Sequence, residues 1–156
     1  MEHTISVLVE NHFGVLAKIS GLFSARGFNI RSLSVGETED TKLSRMTIVV
    51  DADDKILDQV KKQLNKLIDV HKVVDLTGIE SVERELVFVK VNRKDKMSEI
   101  LQIADLFRGK VIDVAAETLV IELTGGTAKV EAFINLLHPF GIIEIARTGK
   151  VAMGRG

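Results

Sequence analysis

The sequence has 156 residues, of which 46% are hydrophobic and 28% charged, and its formal net charge is −1. That balance suits one ordinary globular domain or two small ones. It excludes a disordered chain and an overall basic footprint for nucleic acid. There is no cysteine, which removes disulfides, zinc thiolates and a cysteine nucleophile.

The amino terminus, Met1, Glu2, His3 and Thr4, has no cationic stretch leading into an apolar run, so no signal peptide is expected. No apolar stretch reaches the ~18 residues of a membrane span. A soluble cytoplasmic protein without a nucleic-acid or membrane partner is the expectation.

Residues 4–9 alternate Ile5, Val7 and Val9, the period of a strand with one buried face. Asn11, His12, Phe13 and Gly14 form a turn, and a helix follows over 15–26 with Leu16, Ile19, Leu22 and Phe23 inward. Gly27 is its C-terminal glycine. Strands are predicted over 29–35 and 44–50, joined through the polar stretch 37–40. A helix over 54–67 carries Ile56, Leu57, Val60, Leu64 and Leu67 on one face, with Asp53 or Asp54 as its cap. A strand over 70–76 completes β-α-β-β-α-β.

The order then repeats. A strand spans 86–91, and a helix over 98–107 has Ile100, Leu101, Ala104 and Phe107 inward and Gly109 as its stop signal. Strands over 110–115 and 118–123 follow. Gly125 and Gly126 form a turn before a helix over 127–137, with Val130, Phe133, Ile134 and Leu137 inward, and a strand over 142–146 ends the set. The fold class is therefore α+β: two consecutive ferredoxin-like βαββαβ sandwiches, each an antiparallel sheet with two helices on one face. Expected boundaries are 1–77 for the first domain, 78–84 for a Glu-rich linker and 85–156 for the second. Units this small bury little surface alone, so an oligomer is expected.

Reactive constellations are absent. His3, His12, His71 and His138 show no metal-ligand spacing and read as surface or helix-end residues. Glu80, Glu83 and Glu85 fall in the expected linker and read as a solvated run. No dinucleotide fingerprint, phosphate loop or nucleophile elbow occurs. No catalytic residue, metal site or cofactor site is expected in this chain.

One constellation suits an amino acid. Gly14 permits unusual dihedrals and a close approach. The N–H groups from about Val15 and Leu16 open a helix without intrahelical partners, an anion site for a carboxylate. Asn11 and Asn29 each offer a side-chain carbonyl to an ammonium, and are expected at the same end of the unit. Ile30 and Val35 are candidates for an apolar wall. The plain alternative is that Asn11 caps the helix and that Gly14 and Asn29 serve turns.

The string N-x-x-G-x-L after a first strand resembles the ACT domain, an amino-acid-sensing module. The run SVLVENHFGVLAKISGLFSARGFNIRSLSV with LSRMTIVV, KQLNKLIDVHKVVDL, VERELVFVKV, LFRGKVIDV and EIARTGKVAMGRG is similar to the small regulatory subunits of acetolactate synthase, across nearly the whole chain.

The resemblance implies a homodimer through ACT domains, with valine as effector at the interface held by Asn11, Gly14 and Asn29; the helix N-terminus adds Val15 and the apolar wall Ile30 to the expected site. It implies a catalytic large subunit as partner, carrying thiamine diphosphate, Mg and FAD. That partner condenses pyruvate with pyruvate or 2-oxobutyrate in branched-chain amino-acid synthesis. The small subunit would activate it and confer feedback inhibition. Related turns often place proline before the glycine; here Phe13 stands there. Arg45 is a candidate for the coupling surface, beside its reading as a solvated sheet-end arginine. Rival readings are an ACT protein serving another enzyme, a transcriptional regulator, for which no helix-turn-helix or basic face is visible, and a small ferredoxin-like enzyme.

Overall fold

The computed structural model describes residues 1–156, which divide into two compact units: Met1–Val82 with Lys150–Gly156, and Glu83–Gly149. In the first unit the elements are β1 (Glu2–Glu10), α1 (Val15–Ala25), β2 (Asn29–Glu37), β3 (Leu43–Asp51), α2 (Asp54–Lys66) and β4 (Val70–Asp75). Ser81–Asn92 is β5, which carries the chain into the second unit. There follow α3 (Met97–Leu106), β6 (Lys110–Val114), β7 (Thr118–Gly125), α4 (Thr127–Leu137), a 3₁₀ turn (His138–Phe140) and β8 (Ile142–Arg147). A last strand, β9 (Val151–Gly154), belongs to the first unit.

The sheets run β2-β3-β1-β4 and β6-β7-β5-β8, the same order twice, with every neighbour antiparallel. Alternation makes each sheet two-faced. Ile5, Val7 and Val9 of β1 lie opposite Ile48, Met46 and Ser44 of β3, and the apolar members of these rows join the core under the helices. Val87, Val89 and Val91 do the same with Leu123, Ile121 and Leu119 in the second unit.

Helix α1 buries Val15, Ile19 and Phe23, four positions apart; Leu16, expected inward, is exposed, because the buried stripe is one residue wide at this end. The helix stops at Gly27 (φ 74), where Gly27 N–H donates to Ser24 O and Phe28 N–H to Phe23 O. This is the paired closure that a left-handed residue permits. Asp53 caps α2, its Oδ1 accepting from Ile56 N–H at 2.9 Å. Ile56 itself is exposed, and the buried face is Leu57, Val60 and Leu64.

At the end of α3 the left-handed position is taken by Arg108 (φ 58), and Gly109, the expected stop signal, follows it. Gly109 N–H closes the turn onto Ala104 O at 2.8 Å. Its missing side chain matters for space: a Cβ there would stand 3.1 Å from Ile121 Cγ2 and 3.3 Å from Glu122 O. Gly125 ends β7, and Gly126 is the extended residue before α4.

Three further expectations are corrected. Residues 81–84, expected in a linker, are the first residues of β5. Residues 150–156, expected in the second domain, return to the first unit, where Arg155 N–H donates to Glu80 O at 2.9 Å and Ala152 is buried. Glu85 is a buried carboxylate rather than a solvated one: Arg147 bonds to it and also to Glu131. The hydrogen bond that Arg147 donates to Glu85, opposed by partial burial and aided by Glu131, holds the guanidinium pKa above its ordinary value. That lock joins β5, β8 and α4 at one corner of the second core.

His3 also departs from the surface reading. It is 4% exposed, with Nε2 3.0 Å from Asp54 Oδ1 and Nδ1 3.7 Å from Asp75 Oδ2, and neither nitrogen makes a well-aligned hydrogen bond. The two carboxylates flank opposite sides of the ring, and no group of three potential ligands converges there.

Candidate effector site at the first turn

The turn after β1 is set by Gly14. Its backbone is left-handed (φ 88, ψ −9) and it occupies the N-cap position of α1 without any side-chain cap. A Cβ on Gly14 would meet nothing within 4 Å, so glycine is needed here for its dihedral and not for a close approach. Val15 N–H makes a long contact to His12 O at 3.4 Å, while the N–H groups of Leu16 and Ala17 have no partner. Two free donors at the positive end of an eleven-residue helix favour an anion.

Asn11 does not cap the helix. Its Nδ2 donates to Thr41 O at 3.0 Å and to Glu37 Oε1 at 3.3 Å, and its backbone N–H donates to Lys42 O at 2.8 Å. The side chain is thus tethered to the β2–β3 hairpin through its donors, which leaves Oδ1 as a free acceptor. Glu37 and Thr41, which hold it, were not singled out from the sequence; only the strand register brings the hairpin beside the turn.

Asn29 stands elsewhere. It opens β2 opposite Asp51, and Asp51 lies opposite Glu2, whereas Glu10 lies opposite Leu43. Asn11 and Asn29 are therefore at opposite ends of the sheet, contrary to expectation. The nine-residue strand separates their rows by roughly 26 Å, at about 3.3 Å per residue. The reason is topological: α1 runs back along β1, so the chain leaves β1 at one end and begins β2 at the other. Asn29 is exposed and makes no side-chain hydrogen bond. Beside it, the Met1 ammonium bonds Asp51 at 2.9 Å and holds that carboxyl below its ordinary pKa.

The remaining candidates divide between the two ends. Val15 is 4% exposed and has its side chain in the core, so only its backbone faces the turn. Ile30 lies at the Asn29 end and packs partly into the same core. Val35, at the Asn11 end, is exposed, as are Phe13 and Leu16. Around the turn His71 Nε2 lies 3.0 Å and His12 Nε2 3.9 Å from Glu10, and Lys18 pairs with Asp69 at 3.1 Å. Arg45 donates to Ser6 Oγ at 3.1 Å on the face of the sheet away from the helices.

In the second unit, α3 and α4 also begin without a side-chain cap. A depression of about 150 Å³ on its open sheet face is lined by Phe88, Lys90, Val120, Glu144 and Ala146. The Lys90–Glu144 pair at 3.6 Å satisfies its two charges. No helix in either unit is long and apolar enough to cross a membrane.

Comparisons with known proteins cover both units. Residues 5–72 match the family described as an AHAS small subunit-like ACT domain, and residues 84–156 match the small subunit of acetolactate synthase. A probable acetolactate synthase small subunit of Archaeoglobus fulgidus is 55% identical, over 100% of this chain and 98% of that protein. The acetolactate synthase small subunit of Aquifex aeolicus is 53% identical, over 99% and 81%. The crystal structure of the small subunit from Thermotoga maritima superposes with a TM-score of 0.90 at 49% identity, covering 100% of this chain and 98% of that one. With similarity of this extent along both units, the chain belongs to the family of acetolactate synthase small subunits, and its first unit is an ACT domain.

Proposed function

We propose that this chain activates the catalytic subunit of acetolactate synthase and makes it sensitive to valine, bound between the first units of two copies. The observation that carries the reading is that β2 is an edge strand with Asn29 at one end and Glu37, which accepts from Asn11, at the other. A two-fold pairing of β2 with the partner's β2 runs antiparallel. The partner's Asn29 then comes to the Glu37 end, where Asn11 is tethered. The effector carboxylate takes the free N–H groups of Leu16 and Ala17, beside Gly14 and Val15. Its ammonium takes Oδ1 of Asn11 and of the partner's Asn29.

Feedback follows if the ligand-bound dimer and the free dimer contact the catalytic subunit differently, since an effector shifts an equilibrium only by its differential affinity. A coupling of about 1–3 kcal/mol changes partner affinity by roughly 5–150-fold. On this reading thiamine diphosphate, Mg and FAD reside in the catalytic subunit, and the work takes place in the cytoplasm. Mixing the chain with purified catalytic subunit and titrating valine while following acetolactate formation tests it. Activation without valine and its loss on titration are expected; no activation and no inhibition would overturn the proposal.

A further inference from the structure

The polar half of the site accounts for the α-amino and α-carboxylate groups common to every amino acid; nothing in it selects a side chain. Of the two expected candidates for an apolar wall, Ile30 and Val35, Ile30 has much of its surface committed to the core. Its neighbour Phe28 packs there too, with its ring 6.1 Å from that of Phe23. At the other end the situation is reversed. Phe13 is 108% exposed, so its own chain covers none of it, and Leu16 and Val35 are 45% and 46% exposed.

These three share one end of the first unit. Phe13 adjoins Gly14, Leu16 lies in the first turn of α1, and Val35 is two positions before Glu37, which tethers Asn11. A few convergent polar groups rimmed by apolar side chains is the composition of a small-molecule site. A single exposed apolar residue needs no explanation, but three around unsatisfied donors and a free acceptor do.

We propose that the Phe13 ring, with Leu16 and Val35, is the wall against which the effector's aliphatic side chain packs, so that Phe13 sets the preference for a branched side chain over a small one. The inference rests on the effector site proposed above. Valine carries two more carbons than alanine, and their burial against the ring corresponds to about tenfold in affinity. Phe13 is fully exposed and is no part of the core, so its replacement leaves the core intact.

Calorimetric titration of the full chain with L-valine and with L-alanine tests this. Phe13→Ala is expected to weaken valine binding about tenfold and alanine binding little, collapsing the ratio between them. Phe13→Leu should retain most of it. Asn11→Ala, as a control, should weaken both amino acids alike and preserve the ratio. A valine-to-alanine ratio unchanged in Phe13→Ala, with valine still bound by the unaltered chain, overturns the role of Phe13 and leaves the effector site standing. Failure of the unaltered chain to bind either amino acid overturns the site and this inference together.

Discussion

Asn11→Ala and Asn29→Ala are each expected to weaken valine inhibition by at least tenfold while sparing activation of the catalytic subunit. A hydrogen bond to a charged group contributes about 1.5–3 kcal/mol, and an ammonium that loses one of two side-chain acceptors loses roughly that much. The cost to folding is small in both cases. Asn29 has no side-chain partner to strand, and Asn11 releases only Thr41 O and Glu37, which are exposed and return to water. Acetolactate formation against valine concentration reads the effect. Activation lost together with inhibition, in variants that keep their thermal midpoint, would contradict the separation of sensing from activation.

The second large effect concerns stability. Phe133 is fully buried in the second core and meets Phe107 edge-on, with ring centroids 5.4 Å apart. Phe133→Ala removes most of a ring from a close-packed interior and is expected to cost about 3–5 kcal/mol. That approaches the whole stability of a unit this small. Because the two units have separate cores, urea unfolding of the variant should resolve into two transitions. The earlier should belong to the second unit, and valine binding should persist beyond it. A single transition shifted by less than about 1 kcal/mol would show that the site collapses around the lost ring.

Much of this architecture was legible because its signals are periodic. Helix α4 reads off Val130, Phe133, Ile134 and Leu137 without error, all of them buried. The twofold β-α-β-β-α-β order follows from alternation and turn residues alone. Short and context-dependent features were not legible. Strand β9 is four residues long and offers one buried side chain, Ala152, too little for a period. The acid in Glu85 reads as solvated until Arg147, 62 positions later, is known to lie beside it. His3 sits in an alternating row with Ile5 and Val7, and the pattern alone points it inward, against the usual preference of its residue type.

The candidate site was half legible. The free helix N-terminus and the left-handed Gly14 follow from sequence, and the geometry removes the capping role for Asn11. The placement of Asn29 was missed for want of one topological step. A crossover helix returns the chain to the end at which the first strand began, so a residue leaving β1 and a residue opening β2 cannot meet within one copy. On the proposed reading, that separation leaves the effector site incomplete in a single chain.

Exchange of subunits between Asn11→Ala and Asn29→Ala dimers tests this central claim most directly. Each variant alone lacks one asparagine at both sites. A mixed dimer has one site with both asparagines and one with neither, so random exchange should restore about a quarter of the original number of tight valine sites. Calorimetric titration of the mixture should find them at the original affinity. No tight sites after verified exchange would mean that Asn11 and Asn29 do not hold one ligand across two copies, and would contradict the account.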